Sequence, residues 1–299
     1  MSVLTSKVID TYYEKYRDKE IMFSSEVTKA LYLMPRQIFV KCGGDQWPCI
    51  INSSSLSFVR IIIGTLGGAF KKLTNSKNEI VSIRFSFYEP EGNVVSFFVN
   101  AHISEISKFN GNQELALFTL TFSQRPPNAL IERIGQILEA NKNSNRRKEE
   151  RIILNESVIR KLQLDNSKTE LYIEKVPRKS ILRDISFSGA KVIVVGIAKF
   201  LQDKSVVLSL NFEDPQEKIL LQGKVINIQK IDGRAELITI SIHFENPSLL
   251  YKIRLSNYFS SLLPRPNSNK NEETENVEQK PIDEEKKTLS APSIEAHKE

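Results

Sequence analysis

The stretch DISFSGAKVIVVG (184–196) decides the fold, because the chain carries a second version of it. NSSSLSFVRIIIG (52–64) lines up with it without a gap: Asn52 meets Asp184, Ser54 meets Ser186 and Gly64 meets Gly196. The likeness continues downstream. FYEPEGNVV (87–95) resembles FEDPQEKIL (212–220), with Pro90 against Pro215, and LTFSQRPP (120–127) resembles IHFENP (242–247). Matches in one order and at similar spacing predict two copies of one β-barrel-like fold, joined near residues 140–151.

Working outward, each half alternates short runs rich in Val, Ile, Phe and Thr with turn clusters. The first half has QIFVKC, PCIINSSS, FVRIIIG, EIVSIRFSFYE, VVSFFVNAHISEI and LALFTLTFS. The second has TELYIEK, KSILRDISF, AKVIVVG, SVVLSLNFE, EKILLQGKVINIQKI and AELITISIHF. This spacing reads as antiparallel strands. Helical periodicity covers residues 6–20 with Ser6 as N-cap, ALIERIGQILEA with Asn128 as N-cap, and LLYKIRLSNYFSSLL after ENPS. The expected fold is mainly β: two tandem antiparallel barrels, each followed by a helix. Its expected divisions are an N-terminal helix (1–22), a first barrel domain (23–140), an interdomain arginine linker (141–151), a second barrel domain (152–263) and a tail (264–299). The tail is rich in Asn, Glu, Lys and Pro and reads as disordered, since it cannot bury enough apolar surface to offset chain entropy.

The 299 residues carry a formal charge of +6, unevenly spread. The stretch from Pro264 onward has 6 Lys+Arg against 9 Asp+Glu, leaving 36 against 27, a net of +9, on residues 1–263. A basic folded part favours anionic partners. Cys42 and Cys49 are too few for a disulfide framework, and His102, His243 and His297 lie far from them, so neither a metal nor a cofactor is expected. The most apolar runs are short and interrupted by Arg60, Lys191 and Lys199, so no membrane span is expected. Without a basic start leading into an apolar run, a cytoplasmic location is expected. There is no nucleophile elbow, HExxH or P-loop, so no enzyme is expected.

Two motifs carry chemistry. RKEER (147–151) has the pattern RxxxR, and DISFSG (184–189) has the pattern DxSxxG. Each has an ordinary reading, a solvated charge run and a turn begun by Asp184. In this order, ahead of a barrel, they resemble the signature of PilZ domains, bacterial receptors for cyclic di-GMP. The signature covers about residues 146–263. The resemblance implies that Arg147 and Arg151 grip the ligand, with Arg146 as a third contact. It further implies that Asp184 accepts from a guanine edge and that Ser186 donates to phosphate or holds the turn. Gly189 then serves a close backbone approach or a positive φ. The chemistry is consistent: guanidinium pairs bidentately with phosphate, stacks on flat rings and matches guanine O6 and N7.

The first copy departs from the signature. Asn52 and Ser54 fit, Ser57 replaces the glycine, and only Arg36 and Lys41 precede them. The first domain therefore reads as a degenerate partner. This layout resembles two-domain PilZ receptors of the flagellar-brake YcgR type and, more closely, of the PlzA type. It implies a receptor that changes its interdomain arrangement on binding cyclic di-GMP and relays it to an unknown downstream protein in motility, gene regulation or host adaptation. The alternative is a basic nucleic-acid-binding protein, motivated by the charge and by NKNSNRRK (141–148). A purely structural pair of β domains binds neither.

Overall fold

The computed structural model describes residues 5–76, 79–89, 92–197 and 200–262. The tail from residue 264, expected to be disordered, lies outside the described residues, as does Pro90. The first domain runs α1 (Ser6–Tyr16), β1 (Ile21–Met22), α2 (Ser25–Ala30), β2 (Phe39–Cys42), β3 (Asp45–Pro48), β4 (Ile50–Ser54), β5 (Phe58–Gly64), α3 (Gly68–Asn75), β6 (Val81–Tyr88), β7 (Val94–Lys108), β8 (Leu115–Phe122) and α4 (Asn128–Arg146). The second runs β9 (Ile152–Ile153), α5 (Glu156–Leu162), β10 (Glu170–Ile173), β11 (Val176–Ile185), β12 (Gly189–Val195), β13 (Ser205–Glu213), β14 (Gln216–Ile231), β15 (Arg234–Phe244) and α6 (Leu249–Ser261).

In the second domain the order β10-β13-β14-β15-β12-β11 closes through a β10–β11 pairing into a six-stranded antiparallel barrel, with β9 added to β11. The first sheet has the order β1-β4-β5-β8-β7-β6-β2-β3. Its β3 and β4 are consecutive in the chain, separated by Cys49 alone, so the sheet curls back on itself. Pro48 has no N–H for the ladder, and the single strand β11 of the second domain is here split in two. Inward residues alternate along each strand, as Val192 and Val194 do in β12, and two apolar cores result.

The two copies correspond, but not in the register of the ungapped match. Ile21 pairs with Ser54 as Ile152 pairs with Ile185, an offset of 131 in both (152 − 21 and 185 − 54). Ser53 therefore stands at Asp184, Ser55 at Ser186, Ser57 at Ser188 and Phe58 at Gly189. Hydrogen bonds agree: the Ser55 N–H donates to Phe58 O (2.9 Å) and the Ser186 N–H to Gly189 O (2.8 Å). The physical reason is the two-residue period of a strand. The observed register matches buried Val59, Ile61 and Ile63 to buried Ala190, Val192 and Val194, whereas the ungapped match would have set half-buried Arg60 on an inward position. The later matches hold at β6 and β8 but slip at the turn between them: Phe87 pairs with Val95 and Phe212 with Glu217, so Val95 stands at Glu217 and not at Leu220, because five residues separate β6 from β7 and two separate β13 from β14. Leu33–Phe87 and Leu164–Phe212 form the same bridge, and β7 and β14 bulge alike after Ile103 and Val225.

Helix ends also differ from expectation. Thr5, not Ser6, is the N-cap of α1, and Pro127, not Asn128, precedes α4, its carbonyl accepting from Leu130 and Ile131. Helix α4 continues to Arg146, so much of residues 141–151 is helical. There α4 packs on α6: the Asn143 Nδ2 donates to Ser256 Oγ (2.8 Å), both side chains buried. At the start of α6, Leu249 is buried with the first domain's core, and its N–H donates to Glu26 Oε1 (2.6 Å). Both domains thus belong to one compact unit ending at Leu262.

Candidate functional site

The hairpin between β11 and β12 is the DISFSG stretch. Ser186 is its hub. Its buried Oγ accepts from the Gly189 N–H (3.1 Å) and lies 3.2 Å from Ser188 Oγ. Of the two roles implied for Ser186, these bonds match the turn-holding one. Gly189 has a negative φ or an extended one, not a left-handed one, and a Cβ there would lie 2.2 Å from the Ile242 carbonyl oxygen of β15. Its missing side chain therefore serves close strand packing inside the barrel.

The arginines reach this hairpin by two routes. The two-residue strand β9 pairs Ile153 with Asp184 and Ile152 with Ile185, so Arg151, immediately before it, meets Asp184 in an ion pair. Arg147 ends α4, its N–H donating to Asn143 O (2.8 Å). Its guanidinium lies 4.7 Å over the Phe259 ring and pairs with Glu150 (2.7 Å). Its Nε is buried without a hydrogen-bond partner among the described residues, a donor whose desolvation is uncompensated. The glutamates between the arginines do more than balance charge at large. Glu150 takes Arg147, and Glu149 accepts from Ser188 Oγ (2.8 Å). Arg146 faces elsewhere, lining a cleft with Lys19 and Lys142.

Helix α6 supplies residues that the motifs did not indicate. Tyr251 OH, fully buried, donates to Ser186 O (2.7 Å), and burial pushes its pKa far up, so it stays a donor. Phe259, two turns on and on the same face, stacks on Phe187 of the hairpin (5.9 Å) and carries Arg147 on its ring. The available signal was the aromatic content of YKIRLSNYF, but nothing in it specifies a partner about 65 residues upstream. Ser188 lay inside the quoted motif, at a position that the pattern leaves open.

At the corresponding positions of the first domain, Tyr16 and Glu20 stand where Arg147 and Arg151 do (16 + 131 and 20 + 131). Tyr16 OH donates to Glu139, and Glu20 pairs with Arg60 (3.0 Å). Ser57 Oγ donates to Asp18 (2.9 Å) just as Ser188 does to Glu149. The scaffold is kept and the two guanidinium groups are absent. Chemically, the second site offers paired guanidinium forks beside exchangeable carboxylates, an arrangement suited to anions and to planar acceptor pairs. Among the described residues no cluster of His, Cys, Asp or Glu could hold a metal, and no helix is long and apolar enough to cross a membrane.

The chain matches the PilZN3 domain over residues 7–141 and the PilZ domain over residues 145–261. A Treponema denticola protein named cyclic di-GMP binding protein is 41% identical over 264 residues, spanning 87% of this chain and 84% of its own length. Among solved structures, Borreliella burgdorferi PlzA in complex with c-di-GMP is 25% identical over 86% of this chain and 100% of its own, with a TM-score of 0.39. Escherichia coli YcgR in complex with c-di-GMP is 15% identical over 79% and 85%, with a TM-score of 0.27. Identity to the Treponema protein across most of both chains decides the family. The chain therefore belongs to the PilZ family, as a PilZN3 domain followed by a PilZ domain.

Proposed function

We propose that the chain is a receptor for cyclic di-GMP, gripped by Arg147 and Arg151 against the DISFSG hairpin. The observation that carries this reading is the Arg151–Asp184 ion pair, which joins two motifs 33 residues apart. The identity to a relative named for binding this ligand supports it. A phosphate presents the same bidentate acceptor geometry as Glu150, so binding exchanges that carboxylate for phosphate at Arg147. Arg151 turns to guanine O6 and N7, and Asp184 is freed to accept from the guanine N–H edge. Ser186, Ser188 and Gly189 act by fixing the hairpin that carries Asp184. The proposed activity is binding alone.

The same reading includes a relay. Helix α6 holds Phe259 and Tyr251 at the hairpin and Ser256 and Leu249 at the first domain. A ligand that prefers one position of Arg147 biases how α4 packs on α6, and a downstream target reads the altered domain arrangement. Titration calorimetry tests the binding. Arg147→Ala and Arg151→Ala each remove a charge-assisted contact of about 1.5–3 kcal/mol, so affinity falls about 10- to 150-fold. Unchanged affinity in both variants, or no heat with the natural chain at micromolar ligand, sinks the reading. Small-angle scattering with and without ligand tests the relay, which fails if the curves coincide at saturation.

A further inference from the structure

The net charge of −3 from Pro264 onward conceals a block. Residues 272–285, EETENVEQKPIDEE, carry seven Asp+Glu against Lys280 alone, a net of −6, between flanks of +2 (264–271) and +1 (286–299). Blocks of one sign in a tail often serve as interaction segments. The face of α4 turned away from α6 carries the opposite sign. Asn143 and Arg147 point to α6, whereas Lys142 and Arg146 stand about 100° around the helix. With Lys19, just beyond α1, they line a cleft of about 520 Å³, together with Leu138, Asn141 and Asn145. No acidic residue lines it, and among the described residues no ion pair joins Lys19, Lys142 or Arg146 to a carboxylate. Glu139, on the adjoining turn, is already held by Lys15 and Tyr16. The charge of Lys15 beside it, with a smaller push from Arg146, holds the Lys142 ammonium below its ordinary pKa. Like charges one helical turn apart destabilise the helix unless an anion lies among them.

We propose that the acidic segment 272–285 of this chain docks in the cleft and straps the end of α6 to α4 and α1. The course of the chain supplies the reach. Helices α4 and α6 run side by side in one direction, because Asn143 meets Ser256 and Arg147 meets Phe259. The end of α6 at Ser261 therefore lies beside the end of α4 at Arg146. Ten residue steps lead from Leu262 to Glu272 and span at most about 35 Å when extended. Lys142 and Arg146 are about 6 Å apart along the helix axis, well inside that range. The chemistry also matches. Carboxylates accept from lysine, from arginine and from the amide groups of Asn141 and Asn145. Val277 and Ile282 are the aliphatic residues of the segment, and Leu138 is the one apolar side chain in the lining. Single surface ion pairs are weak, but a short tether holds the segment at an effective concentration on the order of millimolar, so a few such pairs suffice. The arginine clamp is a poorer dock, since Arg147 and Arg151 already pair with Glu150 and Asp184.

The test is zero-length carbodiimide coupling of the full chain without cyclic di-GMP, the new amide bonds being mapped by peptide mass spectrometry. Lys19 and Lys142, both exposed, couple to carboxylates of 272–285 at about 10 mM KCl. The yield falls at least about fivefold at about 1 M, as the screening length drops from about 30 Å to about 3 Å. The half-buried Lys15–Glu139 pair couples under both conditions and certifies the fold. Arg146→Glu leaves both lysines reactive, but it removes one cation and gives Lys142 a carboxylate one turn away. Tail coupling in that variant falls at least about fivefold, with Lys15–Glu139 unchanged. No tail coupling at low salt overturns the proposal, as does tail coupling that ignores both salt and Arg146→Glu. Coupling of the tail chiefly to Lys148, beside the clamp, also overturns it. In a mixture with an isotope-labelled copy, bonds chiefly between labelled and unlabelled chains assign the cleft to a second molecule and overturn the strap. The salt series decides the same point without any variant. No ligand enters the test, so the strap stands or falls apart from the cyclic di-GMP reading.

Discussion

A Cβ at position 189 would lie 2.2 Å from the Ile242 carbonyl oxygen, so Gly189→Ala must push β12 away from β15. The strain is backbone against backbone, with no flexible side chain to yield. Overpacking of this kind costs about 1–3 kcal/mol, and urea unfolding should show that loss even without ligand. An unchanged midpoint would mean that the glycine is kept for the ligand instead. At the corresponding position the first domain accommodates Phe58, so the requirement belongs to the second barrel's own strand spacing. Arg147 shows the opposite situation. Its surroundings are chemically varied, an aromatic face, a carboxylate and a buried unpaired Nε, and of these only the carboxylate of Glu150, three residues on, was readable from RKEER alone.

At the scale of elements, α6 is the part whose role the motifs missed. The bond from Tyr251 OH to Ser186 O ties it to the hairpin inside the barrel. Tyr251→Phe leaves that buried carbonyl oxygen short of a donor and should cost about 1–3 kcal/mol. If the bond positions Asp184, cyclic di-GMP affinity falls in the same variant under conditions where it is fully folded; stability loss with unchanged affinity would assign Tyr251 to the core alone. Helix α1 gives a pH-dependent counterpart. Burial pushes the Glu139 carboxyl up, but hydrogen bonds from Lys15 and Tyr16 and the lysine charge outweigh it and hold it below the usual range. A depressed folded pKa means that its contribution is present above the unfolded value, about 4.3, and is lost as pH falls through the lower folded one. Hydrogen exchange in α1 should therefore accelerate on acidification below about pH 4 in the natural chain relative to Glu139→Gln. Equal acceleration in both would remove Glu139 from the account. Most strands and the three long helices were legible, since their periods of two and 3.6 are written in the side chains. The two-residue strands β1 and β9 were not, because so short an element has no period to read.

In the whole molecule the two domains are held through α4 and α6. The buried Asn143–Ser256 bond lies at their contact. Asn143→Ala leaves the serine hydroxyl buried and unpaired, with an expected loss of about 1–3 kcal/mol on urea unfolding. Adding Ser256→Ala to it removes the orphaned group and should recover part of that loss; strictly additive losses would show that the two side chains are not coupled. This contact also explains why a linker reading of residues 141–151 was incomplete. A charged stretch looks solvated in sequence, yet its first turns extend α4 and bury one face against a helix more than 100 residues away.

By itself, the sequence determined the fold class and the duplication, because periodicity is carried by neighbouring residues; it set RKEER with DISFSG only through their resemblance to the PilZ signature. It did not determine the register between the copies, which the tertiary structure moved by one residue at the hairpin and by three along β7. Strand register is chosen by which side chains face the core, and an ungapped match of letters does not weigh that choice. Nor could it show that Tyr251 and Phe259 support the hairpin or that Arg146 turns away from it. Those depend on how helices pack, where a rotation of about 100° per residue decides which of two adjacent arginines meets which partner.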